Sequence, residues 1–468
     1  MTHRCFCLIA TLIPTALIAA DASSIERPNI ILMMCDDLGW GDVGFNGGEI
    51  IQTPHLDEMA KNSLIFSRFY AQAPVCSPTR GSAVTGRHPY RYGIYFANTG
   101  HMKPQELTVA ELLQAQNYAT GHFGKWHLGT LTKTVKDANR GGPKNAKHFS
   151  PPQDNGFDVC FSTESKVPTY DPMIRPKDKK PGSAWDAVTD ETETVEYGTY
   201  YWNESGEIVR DNLQGDDSRI IMDRAIPFIE SSVRSDKPFF AIIWFHTPHL
   251  PVVAGGEYLD MYREHEVRVR NYYGCITAMD AQVGRLRSKL AELGASDDTM
   301  ICFCSDNGPE GNESAPGSAG PFRGRKRSLY EGGIRVPGLI EWPSRIKPGK
   351  TDFAAVTSDY LPTIANIVGA ELDGQRPIDG ISLLPVFDGT LAERPSPIGF
   401  QSRDMVALSD NRFKLFGKKD QWELYDLIAD PGESKNLLND HPMVAKSMKQ
   451  TVKAWQAACK NSDGGGDY

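Results

Sequence analysis

Pro28-Asn29-Ile30-Ile31-Leu32-Met33-Met34-Cys35-Asp36-Asp37 is the stretch on which the fold turns. Its apolar residues run without alternation, as in a strand buried on both faces of a sheet. Strands of that kind belong to largely parallel sheets with helices on both sides, and here two carboxylates close the run. Residues 118–123, 239–245, 299–305 and 334–341 read as further strands. Residues 56–66, 108–116, 218–233, 266–293 and 358–368 carry helical spacing, with Thr108 and Glu111 in capping-box register. Strands alternating with helices predict a large α/β sandwich around a mostly parallel mixed sheet. From about 381 the segments shorten to hairpins over 403–409 and 412–416 and a helix near 442–458. This predicts a smaller C-terminal α+β domain with an antiparallel sheet, over 381–468.

Between about 130 and 217 the periodicity weakens amid Gly, Pro, Asn, Lys and aromatic residues, which reads as an insertion into a catalytic domain of residues 23–380. Residues 1–22 read as a signal peptide: His3 and Arg4, an apolar run from Cys5 to Ala20 broken by Pro14, then Ala20-Asp21-Ala22. An exported, periplasmic or secreted protein is expected, and the run is too short and interrupted for a stable membrane span; an uncleaved anchor is the alternative. The 468 residues are 40% hydrophobic and 23% charged, which excludes a largely disordered or multispan chain. A net charge of −9 argues against a nucleic-acid partner. Beyond Cys5 and Cys7, the cysteines at 35, 76, 160, 275, 302, 304 and 459 show neither a disulfide framework nor paired zinc-ligand spacing. Most read as small buried hydrophobes.

Polar clusters fall at the predicted strand ends, where open α/β sheets place their sites. Asp36-Asp37 and Asp306-Asn307 form an all-oxygen set suited to one hard divalent cation such as Ca²⁺ rather than Zn²⁺; solvated strand caps are the bland reading. Cys76-Ser77-Pro78-Thr79-Arg80 lies at a turn entering a helix. That segment resembles the signature of the type I sulfatases, of the alkaline-phosphatase-like superfamily. Gly121-His122-Phe123-Gly124-Lys125-Trp126-His127-Leu128-Gly129 resembles the second signature of that family. His246-Thr247-Pro248-His249-Leu250-Pro251, Ser305-Asp306-Asn307-Gly308, Phe322-Arg323-Gly324-Arg325-Lys326, 331–337 and 424–431 follow in family order, so the likeness spans about 28–440.

The resemblance implies hydrolysis of sulfate esters, with Cys76 converted to formylglycine by a dedicated maturation enzyme. The hydrated aldehyde would be a metal ligand beside Asp36, Asp37, Asp306 and Asn307. One hydroxyl of this geminal diol would attack sulfur, and the second, once deprotonated, would expel sulfate. Arg80 would orient the hydrate, and Lys125 and Lys326 would add positive charge where the sulfuryl group sits. His127 would take the proton from the second hydroxyl, and His249 with Lys326 would protonate the leaving oxygen. His246 is either a neighbour of the site or part of it, and His122 reads as structural.

A sulfated carbohydrate is the expected substrate. Lys133, Lys136, Arg140, Lys144 and Lys147 form a basic run that either guides a polyanion or is a solvated loop. Trp185, Tyr197, Tyr200, Tyr201 and Trp202 either stack on sugar rings or pack the insertion down. Arg323, Arg325 and Arg327 flank Lys326 and are expected to add to the anion field. The alternatives are a phosphonate monoester or phosphodiester hydrolase of the same superfamily and, from another class, an unmatured carbohydrate-binding protein.

Overall fold

The computed structural model describes residues 27–372 and 376–468; the expected signal peptide, 1–22, lies outside the described residues. Asn29–Cys35 forms a strand at the centre of a ten-stranded sheet. It pairs in parallel with Phe239–Trp244 on one side and Thr299–Ser305 on the other. Ala119–Lys125 and Val159–Thr163 extend the parallel run beyond Phe239–Trp244. Successive side chains serve opposite layers, as the pleat requires. Ile30, Leu32 and Met34 join Phe240, Ile242, Trp244, Cys302 and Cys304 on one face. Ile31, Met33 and Cys35 join Ala241, Ile243, Ile301 and Phe303 on the other. Helices Cys76–Thr85, Val109–Ala115 and Tyr360–Ile367 contribute to the first layer, and Pro54–Lys61, Asp217–Arg234 and Val267–Glu292 to the second.

Three sequence expectations need correction. The helix expected over 56–66 ends at Lys61, and Ser63–Tyr70 is a strand instead. Leu64 continues the helical spacing of Leu56 and Met59, but Ser63–Tyr70 pairs with Gly338–Glu341 and Gly349–Val356, and sheet pairing outweighs the local period. Within 334–341, Pro337 separates Arg335–Val336 from Gly338–Glu341, and both pieces run antiparallel to Ser63–Tyr70. The region 130–217 is not all peripheral: Val159–Thr163 and Tyr201–Asn203 complete one end of the sheet, and Phe157, Cys160 and Trp202 lie in the core.

Ile398–Ser402, Met405–Ser409, Phe413–Lys418 and Gln421–Asp426 form a four-stranded antiparallel sheet. One face packs Val406, Leu408, Leu415 and Leu424 against Ala445, Met448 and Val452 of helix Pro442–Asp463. The other brings Ile398, Phe400, Ala407 and Phe416 onto Tyr70, Leu329, Ile334 and Val356, so the smaller sheet backs the segment that carries Lys326. Lys414 is fully buried there, 2.9 Å from Glu331 and 3.0 Å from Glu433. Among the described residues no helix is long and apolar enough to cross a membrane.

Candidate active site

Four parallel strands deliver the site from their C-terminal ends: Cys35 leads into Asp36-Asp37, Ser305 into Asp306-Asn307, Lys125 towards His127, and Trp244 towards His246 and His249. Gly124, immediately before Lys125, has φ +104°, and a Cβ there would lie 2.0 Å from the Trp244 carbonyl oxygen. Only glycine lets the two strands approach this closely where Lys125 enters the site. Cys76 opens helix Cys76–Thr85 and is 2% exposed.

The charges interlock. Lys125 Nζ lies 2.6 Å from Asp36 Oδ2. Lys326 Nζ lies 2.6 Å from Asp37 Oδ1 and 3.3 Å from Glu310. Arg80 grips Asp306 Oδ2 through Nε at 3.0 Å and Nη2 at 2.6 Å, and donates to the Lys125 carbonyl at 3.2 Å. Asn307 donates to Asp37 Oδ1 at 2.7 Å, and the Asp37 amide donates to Asp306 Oδ1 at 3.1 Å. His249 Nε2 lies 3.7 Å from Asp37 Oδ2, its Nδ1 2.6 Å from the Leu250 carbonyl. His127 Nε2 lies 2.8 Å from Asn98 Oδ1.

Burial pushes Asp36 up, but Lys125, His249, Arg80 and Lys326 outweigh it and hold the carboxyl well below its usual range. Burial and the charge of Asp36 push Asp306 up, against the pull of Arg80. Burial likewise raises the Cys76 thiol despite Lys125 and Lys326. An unmodified Cys76 therefore stays protonated and is a poor nucleophile. Burial lowers His249 to about 4 against the pull of Asp36 and Asp37. Lys326 resists the burial that would lower it, because Asp37 and its neighbours raise it.

Ligand atoms of Asp36, Cys76 and Asp306 lie within 4.8 Å of one another, as do those of Asp36, Asp37 and His249. Asp36 Oδ1 and Asn307 Oδ1 are buried without a hydrogen-bond partner. Orphaned buried oxygens carry a desolvation cost that a cation would relieve. An oxygen-rich donor set with two spare oxygens fits a hard divalent ion.

Asp36, Asp37, Cys76, Arg80, Lys125, His249, Asp306, Asn307 and Lys326 come together in this cluster, whereas the His127 ring contacts Asn98. Of the other two histidines, His246 is bound to Thr163 and Asp217, and His122 is enclosed by Trp126, Phe157 and Trp244. The expected recognition groups fare less well. Of the basic run, Lys133, Lys136, Lys144 and Lys147 are exposed, whereas Arg140 is buried against Glu164 at 2.7 Å and donates to the His127 carbonyl, so it braces the site. Trp185, Tyr201 and Trp202 are buried and unavailable for stacking on a ligand. Arg323 turns towards Tyr425 and Tyr330, while Arg327 pairs with Glu310. Sequence reasoning missed Asn98, Glu164 and Glu310. None lies in a motif, although Glu310 follows Asp306-Asn307 closely enough to have been considered.

A family model named Sulfatase matches residues 28–370, and one for the C-terminal region of N-sulphoglucosamine sulphohydrolase matches 320–458. The chain belongs to the sulfatase family, with the alkaline-phosphatase-like fold, and is a sulfuric ester hydrolase. It is 32% identical to arylsulfatase A of Homo sapiens over 476 residues, covering 92% of this chain and 88% of the relative. It is 31% identical to N-acetylgalactosamine-6-sulfatase of Mus musculus over 458 residues, covering 93% and 81% respectively. Among solved structures, Ps i-CgsB in complex with k-i-k-neocarrahexaose superposes with a TM-score of 0.78 at 27% identity, covering 93% of this chain and 94% of that one.

Proposed function

We propose that this sulfatase is an exported enzyme that removes sulfate from a sulfated carbohydrate, using formylglycine formed from Cys76 by a maturation enzyme and one Ca²⁺ ion. The observation that carries the reading is the meeting of Cys76, Asp36 and Asp306 within 4.8 Å in a buried cluster of matched charges. The sugar assignment is supported by similarity to N-acetylgalactosamine-6-sulfatase and to a protein solved with neocarrahexaose. Export is supported by the apolar segment within 1–22. We assign 23–380 to the catalytic domain and 381–468 to the smaller one.

Asp36, Asp37, Asp306 and Asn307, with the group at position 76, would hold the metal. When bound, it would neutralise charge on the sulfate oxygens without consuming a proton, and the formylglycine hydrate would supply the second hydroxyl that a serine lacks. Lys125 and Lys326 flank the same carboxylates and bring positive charge to the sulfuryl group. Arg80, anchored on Asp306 and the Lys125 carbonyl, orients residue 76 and stays charged throughout. His127 is the base on the residue-76 side. His249, whose Nδ1–H donates to the Leu250 carbonyl, presents Nε2 beside Lys326 to the leaving oxygen and protonates it from the imidazolium form. Product analysis on sulfated glycosaminoglycan and algal oligosaccharides, with a matched phosphodiester as control, tests the substrate. Mass spectrometry of the peptide containing residue 76 tests the nucleophile: activity with unmodified thiol throughout, or preference for the phosphodiester, would overturn the proposal.

A further inference from the structure

His127 is held from two sides by residues outside every motif. Its carbonyl accepts a hydrogen bond from Arg140 Nη2 at 3.2 Å, and its backbone has φ +60°, which few non-glycine residues adopt. Its Nε2 lies 2.8 Å from Asn98 Oδ1, whereas its Nδ1 is buried without a partner. Asn98 is in turn oriented by Asn139, whose Nδ2 donates to Asn98 Oδ1 at 3.0 Å and to Ser165 Oγ at 2.9 Å. The Asn139 amide donates to Glu164 Oε2 at 3.3 Å, and Arg140 Nε donates to Glu164 Oε1 at 2.7 Å. A buried carboxylate thus fixes the 139–140 pair, and that pair fixes both the ring and the backbone of His127.

A carbonyl oxygen can only accept. Asn98 Oδ1 therefore calls for a proton on Nε2, and a neutral imidazole protonated there carries its lone pair on Nδ1. We propose that Asn98 is a positioning residue that locks His127 as the Nε2–H tautomer, making Nδ1 the atom that accepts the proton on the residue-76 side. The inference rests on the base role given to His127 above. It adds the atom that performs the role and the residue that selects it. The insertion then has a catalytic purpose, since Asn139 and Arg140 belong to it.

The test reads the tautomer without turnover. Nitrogen-15 spectra of the full chain, histidine-labelled and in its Cys76 form, with His127→Ala for assignment, should show His127 Nδ1 unprotonated and Nε2 protonated. Asn98 is exposed, so its replacement should leave the fold intact. Asn98→Ala should mix or invert the tautomers and, in matured enzyme, lower kcat at least about tenfold with KM little changed; tautomer control of a catalytic imidazole can be worth up to about 10⁴-fold. Asn98→Asp keeps an acceptor facing Nε2 and should restore both the spectrum and most of kcat. A protonated Nδ1 in the unaltered chain, or equal losses in Asn98→Ala and Asn98→Asp, would overturn the inference. Full turnover by His127→Ala would instead overturn the base role, a separable result because the spectrum needs no catalysis.

Discussion

Replacing Lys414 by Met tests how the smaller sheet supports the site. Lys414 is fully buried, and its ammonium lies 2.9 Å from Glu331 and 3.0 Å from Glu433. Glu331 keeps other partners when the lysine is removed: Tyr70 Oη at 2.9 Å and Arg335 at 3.3 Å. The Glu433 carboxylate keeps, among the described residues, only the Glu331 amide, at 2.6 Å. Breaking a buried pair by removing one partner costs about 3–5 kcal/mol, because the remaining charge stays desolvated. Burial already pushes Glu433 up to about 7 despite Lys414, so loss of the lysine raises it further and proton uptake relieves the variant in acid. Equilibrium urea unfolding should therefore show a deficit of about 3–5 kcal/mol at pH 8 that shrinks at pH 5.5. Adding Glu433→Gln should recover most of it at pH 8. Since Glu331 closes the segment that carries Lys326, kcat should fall as well. A deficit below about 1 kcal/mol at pH 8, or one independent of pH, would refute the account of an uncompensated buried charge.

Asp306→Ala should abolish bound metal and turnover together and also lower stability, since it strips Arg80 of its two short contacts; metal analysis showing an unchanged divalent-ion content would contradict the assignment. His249→Ala should slow sugar sulfates by about 10²–10⁴-fold while sparing an activated phenyl sulfate, whose leaving group departs without a proton; equal losses would show that another residue protonates the leaving oxygen. Asp137 is buried, accepts from the Tyr200 amide and Trp202 Nε1, and burial raises it from 3.8 to about 7. Its raised folded pKa means that its contribution to stability is complete below about pH 4 and is lost as pH rises through 7, with a slope of at most about 1.4 kcal/mol per pH unit. Asp137→Asn should flatten the stability profile in that window, and a difference curve without slope between pH 4 and 7 would dismiss the effect.

The central strand was legible because apolar residues continuous through Cys35 and then abruptly acidic at Asp36 have few other readings in a protein of this composition. The site was legible for the same reason: its charged residues follow strand ends, and the strand ends could be found. Ser63–Tyr70 was not, because Leu64 fits the helical period of the preceding turn and Asn62 offers no glycine or proline to mark the break. Val159–Thr163 and Tyr201–Asn203 are short, and their place in the sheet depends on Ala119–Lys125 far back in the chain. Asn98 and Arg140 lay beyond reach because nothing local distinguishes a loop asparagine that meets an imidazole from one that meets water. The aromatic residues of the insertion misled for a related reason: composition reports that Trp185 and Trp202 must be satisfied, not whether protein or ligand does it.

Helix Cys76–Thr85 is buried along its whole length, and that burial sets an order of events. An enzyme that oxidises a side chain must enclose it together with several residues on either side, which a segment sealed beneath a finished sheet cannot offer. If Cys76 is converted to formylglycine as proposed, that conversion would compete with folding, and the window would close when the helix docks. Chains that fold first would accumulate as stable, inactive molecules with a shielded thiol. The specific activity of a preparation would then report the relative speeds of two processes in the cell as much as the quality of the active site.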